Sequence, residues 1–348
     1  MSSQPPSKPK RHHFVPQAYL ERFGRDRRVA VRRRGGSKIF VADVKNVALE
    51  TGFYETQGVG GDRSVEVEEW LATVDDDGNK IIMAVIETGE PAPIGTLARN
   101  NLAVFMAVQM SRTPEARERL LFPHTLAKYA AGNEVDHAVM RRYLTEVHLG
   151  FEPEDSEVQG ALDFFHGTRQ MGEFLTKDDA VKFSFSTVEP AAMRLLQKNW
   201  TLEVARKPRF LTSDAPLVLW RKPTVRDFFE GIGIENAEEI RFPLDSAHQL
   251  VLRNDFRPAM GPVEPARVRQ CNADLASGCH NFIVGHPDRP KQMTEIPLST
   301  KRPVLRFGSG PGYRATPGGG DEYMGEVIHT WIQRHDRPQP AGRDRRRR

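Results

Sequence analysis

The chain has 348 residues, 39% of them hydrophobic and 28% charged, a length that supports one large α+β domain or two domains. No run approaches eighteen apolar residues, which excludes a membrane-spanning helix, and two cysteines, Cys271 and Cys279, exclude a disulfide framework or a four-cysteine zinc site. The net charge of +4 is uneven: residues 1–40 hold eleven Lys/Arg against Glu21 and Asp26, residues 337–348 hold six Arg against Asp344, and the body between carries −10. Basic ends of this kind attract phosphate backbones, or simply stay solvated because they cannot build a core.

In chain order, residues 1–10 read as a disordered basic arm without the apolar stretch of a secretory signal, so a cytoplasmic location with no membrane attachment is expected. Arg11 to Phe23 reads as one short helix begun near Pro16 and stopped by Gly24 as a C′ glycine. Residues 28–33 and 38–43 alternate around Arg34-Gly35-Gly36-Ser37 and predict a β-hairpin rich in arginine. Residues 65–88 have helical periodicity broken at Asp75-Asp76-Asp77-Gly78. Gly95 to Met110 is apolar nearly all round and predicts a buried helix. Thr113-Pro114 predicts an N-cap and first turn for a helix reaching about Phe122.

Helices then continue to residue 200, with loops near Gly150 and Gly167. Strands are expected at 200–204, 210–212, 216–220, 240–243, 249–252 and 281–284, interrupted by a helix over about 265–279. The Gly/Pro-rich residues 308–320 read as a loop, followed by a short helix at 321–334. The expected fold class is α+β: a short helix and basic hairpin, a helical middle and a mixed β-sheet in the C-terminal half. One α+β domain over 11–335 is divisible into a head (11–95), a helical part (96–200) and a sheet part (201–335), and 336–348 is a disordered Arg-rich tail.

Three constellations bear on chemistry. His12-His13-Phe14-Val15-Pro16-Gln17 places two histidines before a Val-Pro step, as in the opening of ββα-metal nucleases, where a histidine activates water beside a divalent cation. A surface histidine pair is the alternative, and no downstream ligand stands at the expected distance. Phe210 to Pro216 runs a strand into Thr212-Ser213-Asp214, which suits a metal ligand or general base at a sheet rim, or an ordinary turn. Gln109 and Arg112 share a helix face and suit either a phosphate contact or a tie between the helix end and the next segment. Cys279-His280 is a weak pair, since adjacent side chains point apart. The glycines of 308–320 lack a phosphate-loop pattern.

Together these segments resemble one bacterial family, domain of unknown function 4238. The resemblance rests on His13 to Phe23 (HFVPQAYLERF), Phe105 to Pro114 (FMAVQMSRTP), Phe210 to Pro216 (FLTSDAP), Phe242 to Leu244, and an Asn-led helix before a strand at Asn272 to Val284. It covers about residues 11–290. It implies that His13 and Ser213-Asp214 are the family's own positions, and it leaves the tail and the arginine hairpin outside the shared motifs.

The leading expectation is a metal-assisted phosphodiesterase, a nuclease of the defence or toxin type. His13, Ser213 and Asp214 would be catalytic, and His13 and Asp214 would hold Mg²⁺ or Mn²⁺. Gln17, Gln109, Arg112, Arg32, Arg33 and Arg34 would contact nucleic acid. Glu66 or Asp245 would complete a carboxylate set. The alternatives are a non-catalytic nucleic-acid binder and a protein-interaction component of a defence system, with a protein partner or a homo-oligomer.

Overall fold

The computed structural model describes residues 11–51, 56–57, 63–64, 66–170, 185–222, 232–257, 261–315 and 321–334. The basic arm and the Arg-rich tail expected at the two ends lie outside these residues.

The segment expected to be one helix is a strand and a helix: β1 (Arg11–His13), then α1 (Gln17–Glu21) with Pro16 at the N-cap. Pro16 fixes extended backbone at the N-cap and so holds the two apart. Phe14, Val15, Tyr19, Leu20 and Phe23 all reach the core. Gly24 is not a left-handed cap. A Cβ there would stand 2.2 Å from the Arg28 carbonyl oxygen, so glycine is required by a close approach. The left-handed residues are Asp26 (φ 51) and Arg27 (φ 60), which turn the chain between Arg25 and Arg28.

The arginine hairpin forms as read, from β2 (Arg28–Arg33) and β3 (Ile39–Asp43), with Gly35 at φ 77 in its loop. β1 pairs antiparallel with β4 (Leu49–Thr51), and β5 (Thr56–Gln57) makes a two-residue ladder with β6 (Arg63–Ser64).

α2 (Glu66–Thr88) runs unbroken through the triple aspartate where a break was expected. Gly78 sits mid-helix because α3 (Leu97–Ser111) crosses there: a Cβ at 78 would lie 2.3 Å from the Phe105 ring. α3 buries Leu102, Phe105, Met106 and Val108, although Leu97 in its first turn is 74% exposed. α4 (Pro114–Ala130) opens as read, the Thr113 hydroxyl accepting from Ala116 N at 3.2 Å, but continues through Pro123 beyond the expected end. α5 (His137–Tyr143) passes into a π-turn ending at His148. α6 (Asp155–Gln170) runs through Gly167, where a loop was expected. α7 (Val188–Leu196) completes the helical middle.

The remaining strands are β7 (Asn199–Val204), β8 (Thr212–Ser213), β9 (Val218–Trp220), β10 (Glu239–Pro243) and β11 (His248–Arg253). α8 (Pro265–Gly278), β12 (Phe282–Gly285) and α9 (Lys291–Thr294) follow. The fold is α+β, as expected, but the mixed sheet is two antiparallel four-stranded sheets, ordered β7-β11-β10-β9 and β3-β2-β12-β8. Among the described residues, parallel pairing is confined to an isolated Ala205–Val263 bridge. The second sheet takes in the N-terminal hairpin, because the apolar β12 is covered on one edge by β2 and on the other by β8. The first sheet turns Ile240, Phe242, Leu250 and Leu252 into the main core with Tyr19 and Phe105.

The last expectations are overturned where the structure describes the chain: a long ribbon, β13 (Val304–Ala315) paired with β14 (Asp321–Gln333), stands where a loop and a helix were expected, and residues 316–320 of that loop lie outside the described residues. The glycines alternate for packing. Trp331, His329 and Val327 lean over Gly308, Gly310 and Gly312, where a Cβ would meet them at 3.2, 3.5 and 2.6 Å. α6 presses its Gly160 against the backbone of Gly308. The root of the ribbon closes a second core of Phe122, Leu126, Tyr143, Phe165, Leu305 and Phe307.

Candidate functional site

Three of the segments singled out in the sequence meet at the Tyr19 hydroxyl. Tyr19 is buried on α1, and its hydroxyl lies 2.7 Å from the Pro243 carbonyl and 2.9 Å from Thr212 Oγ1. The carbonyl only accepts, so the Tyr19 proton goes to Pro243 and the Thr212 hydroxyl donates to Tyr19. Burial pushes the phenol pKa up. One turn on, Arg22 donates from Nε to the Leu244 carbonyl at 3.1 Å and from Nη1 to Asn79 on α2. Burial lowers its pKa to about 10, which keeps it charged at neutral pH.

The turn that follows β10 brings Asp245 and His248 together. Asp245 Oδ1 accepts the amides of Ala247 (2.6 Å) and His248 (2.7 Å), and both carboxylate oxygens lie 3.0 Å from His248 Nδ1. Burial alone would raise the Asp245 pKa, but the His248 ring and the two amides hold it below the usual carboxylate range. An ionised Asp245 fixes the proton on Nδ1 and leaves the Nε2 lone pair available as a base. Both side chains keep a little solvent access, 18% for Asp245 and 19% for His248.

The expected site residues are placed as follows. His13 Nδ1 lies 3.5 Å from Gln17 Nε2, and Gln17 Oε1 accepts from Arg27, which also pairs with Glu21 at 2.6 Å. Ser213 closes a turn on Ala215. Asp214 is fully buried, its oxygens accepting from the amides of His280 (2.8 Å) and Asn281 (2.5 Å). Burial pushes its pKa up to about 6 against those hydrogen bonds and the nearby Arg34. Arg34 donates to the carbonyls of Ala276, Cys279, Ser299 and Lys301, and Arg32 to those of Met293 and Ile296. Arg33 is exposed and stacks on Phe40.

Arg112 forms a two-pronged pair with Asp75 on α2, and its side chain is 1% exposed. With its amide oxygen turned to the guanidinium, Gln109 accepts from Arg112 Nε at 3.0 Å. The pair ties α3 to α2, the tying role weighed above with a different partner. Asn272 lies inside α8 rather than leading it, and clasps Leu211 N (3.0 Å) and the Arg209 carbonyl (2.8 Å). The side chain of Glu66 lies outside the described residues. Among the described residues no group of three or more His, Cys, Asp and Glu is placed to hold a metal ion, and no helix is long and apolar enough to cross a membrane.

One charged cluster went unread. On the face of the first sheet turned away from the main core, Arg241 donates to Glu239 and to Asp274 on α8, both at 2.6 Å. Arg253 and Arg267 each bridge Glu203 and Glu239. Arg241 also stacks on Trp220 at 4.7 Å. Burial opposes the Glu239 charge, yet Arg241, Arg267 and Arg253 hold its pKa down to about 2. A signal was present: Glu239/Arg241 and Gln249/Arg253 alternate on their strands, and Arg267, Cys271 and Asp274 share one face of α8 at i, i+4 and i+7.

No curated protein and no solved structure matches the chain. A family match covers residues 11–289, the span of the junction, the Asp214 turn and the charged cluster alike. The chain belongs to the family described as Protein of unknown function (DUF4238).

Proposed function

We propose that the chain is a hydrolase acting on phosphodiesters of nucleic acid, with His248 as general base. The supporting observation is the Asp245–His248 pair, in which a carboxylate fixed by two backbone amides orients an imidazole that is not fully buried. An imidazole so held takes a proton from water as the water oxygen bonds to phosphorus and the P–O bond to the leaving nucleotide oxygen breaks; the carboxylate stabilises the imidazolium that forms, and the leaving oxygen takes its proton from the imidazolium or from solvent. Arg22, whose guanidinium lies against Leu244 beside the pair, supplies positive charge for an anionic substrate. Exposed Arg28 and Arg33 on β2 suit contacts with a nucleic-acid backbone. The base is thereby His248 in place of His13, and Asp214 serves the architecture. A divalent ion, Mg²⁺ or Mn²⁺, would add charge neutralisation at the phosphate.

The test compares the full chain with His248→Ala and Asp245→Asn on labelled RNA, single-stranded DNA and duplex DNA, with Mg²⁺, Mn²⁺ or EDTA. Cleavage by the wild type should fall about 10²- to 10⁴-fold in His248→Ala, with binding retained. Wild type that cleaves none of the substrates overturns the proposal. Salt-sensitive binding without cleavage would make the chain a nucleic-acid binder, the second class weighed from sequence.

A further inference from the structure

We infer that the loop Arg206-Lys207-Pro208-Arg209 docks the nucleic-acid backbone beside the Asp245–His248 turn, Lys207 and Arg209 each taking a phosphate; the inference takes its substrate class from the hydrolase reading. The loop follows β7, and both of its ends are bonded to the turn that carries the base. Ala205 N donates to the Ala247 carbonyl at 2.7 Å and Phe210 N to the Ser246 carbonyl at 2.9 Å. Ser246 and Ala247 are the two residues between Asp245 and His248, so the loop and the base share one support. The backbone between those ends is tied down as well. Arg206 N reaches the Val263 carbonyl at 3.4 Å, Arg289 donates to the Pro208 carbonyl, and Asn272 donates to the Arg209 carbonyl at 2.8 Å. A loop braced in this way is already ordered, so binding to it costs little conformational entropy.

The charges on the loop are not alike. Arg206 pairs with Glu264 at 2.9 Å, and Glu203, the nearest acid before the loop, is taken by Arg253 and Arg267. Lys207 and Arg209 are exposed, and among the described residues neither side chain has an ion pair or a hydrogen bond. With Val263, Pro265 and Val268 they line a cavity of about 100 Å³, which has room for a phosphate group. Two unpaired cations on a fixed backbone suit a ligand that repeats its negative charge along a chain, and contacts of that kind set where the chain lies on the protein.

The test is filter binding of the full chain to labelled RNA, single-stranded DNA and duplex DNA in EDTA, at salt from about 50 to 200 mM. The double variant Lys207→Gln/Arg209→Gln should bind about tenfold or more weaker, and its slope of log affinity against log salt should be shallower by about 1.4 to 1.8. Should the double variant fail to fold, Lys207→Gln alone decides, with an expected change of about 0.7 to 0.9. Lys128→Gln/Arg142→Gln removes two exposed cations from α4 and α5, and should leave the slope within about 0.5 of wild type. A slope unchanged in Lys207→Gln/Arg209→Gln, or lowered equally in the α4/α5 variant, overturns the inference, as does a wild type that binds none of the three. Cleavage is scored separately with Mg²⁺ or Mn²⁺. A chain whose binding changes as expected but that cleaves nothing keeps the docking loop and loses the hydrolase reading, and a chain that cleaves with its slope unchanged does the reverse.

Discussion

Arg34 and Asp214 hold opposite sides of one turn. The guanidinium takes the carbonyls of Ala276 (2.7 Å) and Cys279 (2.8 Å) at the end of α8, and the carboxylate takes the amides of His280 and Asn281 just beyond. Between them they satisfy the backbone groups that a helix end and a sharp exit would leave bare. The turn delivers β12 into its sheet, and Arg34 N bonds to the Asn281 carbonyl at 2.7 Å as the strands meet.

Asp214→Asn carries a neutral side chain that accepts through one oxygen, as the protonated acid does, so it should match the wild type to within about 1 kcal/mol at pH 4. The folded pKa of Asp214, about 6, is above its ordinary 3.8, so its contribution is complete below about pH 4 and falls away as pH rises through 6. That shift corresponds to about 3 kcal/mol. Urea unfolding should show Asp214→Asn gaining on the wild type between pH 4 and pH 7. A difference between the two that is the same at both pH values refutes the assignment.

Gly78→Ala has a diagnostic sign. In a solvated helix interior that change stabilises by about 1 kcal/mol. Here the added methyl would stand 2.3 Å from Phe105, and overpacking of that kind costs about 1–3 kcal/mol. A lowered melting temperature is expected, and a raised one would mean that α2 and α3 are less closely packed.

Arg112→Ala removes the partner of Asp75 and of Gln109 at a site 1% exposed on the arginine side. A loss of roughly 3 kcal/mol is expected, with nucleic-acid affinity unchanged in filter binding. Weakened binding at unchanged stability would return Arg112 to the phosphate role first considered for it.

Arg241→Ala should be the most damaging of these substitutions, at about 3–5 kcal/mol, because it takes the ion-pair partner from buried Asp274 and one of the three arginines from Glu239. Arg241→Met, which refills the volume, should recover part of that loss. Chemical denaturation distinguishes the two, and equal stability of both variants would show that shape contributes nothing at this position.

Local chemistry made some elements legible. Gly35-Gly36 between alternating runs announced the β2–β3 hairpin, and Thr113-Pro114 announced the start of α4, because turn and cap preferences act over a few residues. Gly78 and the glycines of β13 misled, since glycine marks both a chain break and a close approach, and only the neighbour (Phe105 or Trp331) tells which. The motifs were legible as motifs, but their partners were not. Tyr19 meets Thr212 and Pro243 across about two hundred residues of sequence, and no periodicity encodes such a meeting. The charged cluster escaped because charge alternating along a strand reads as a solvated face, whereas α8 covers it here.

The sheet order β3-β2-β12-β8 also sets a timetable. During synthesis β2 emerges early and can pair with β3 at once, but its other neighbour begins at Phe282. At translation rates of about 5–20 residues per second, the hairpin waits roughly ten to fifty seconds with an open edge. A chain halted anywhere before β12 would keep that edge bare, so it should be a target for chaperones and proteases, and fragments ending there should not accumulate as folded protein.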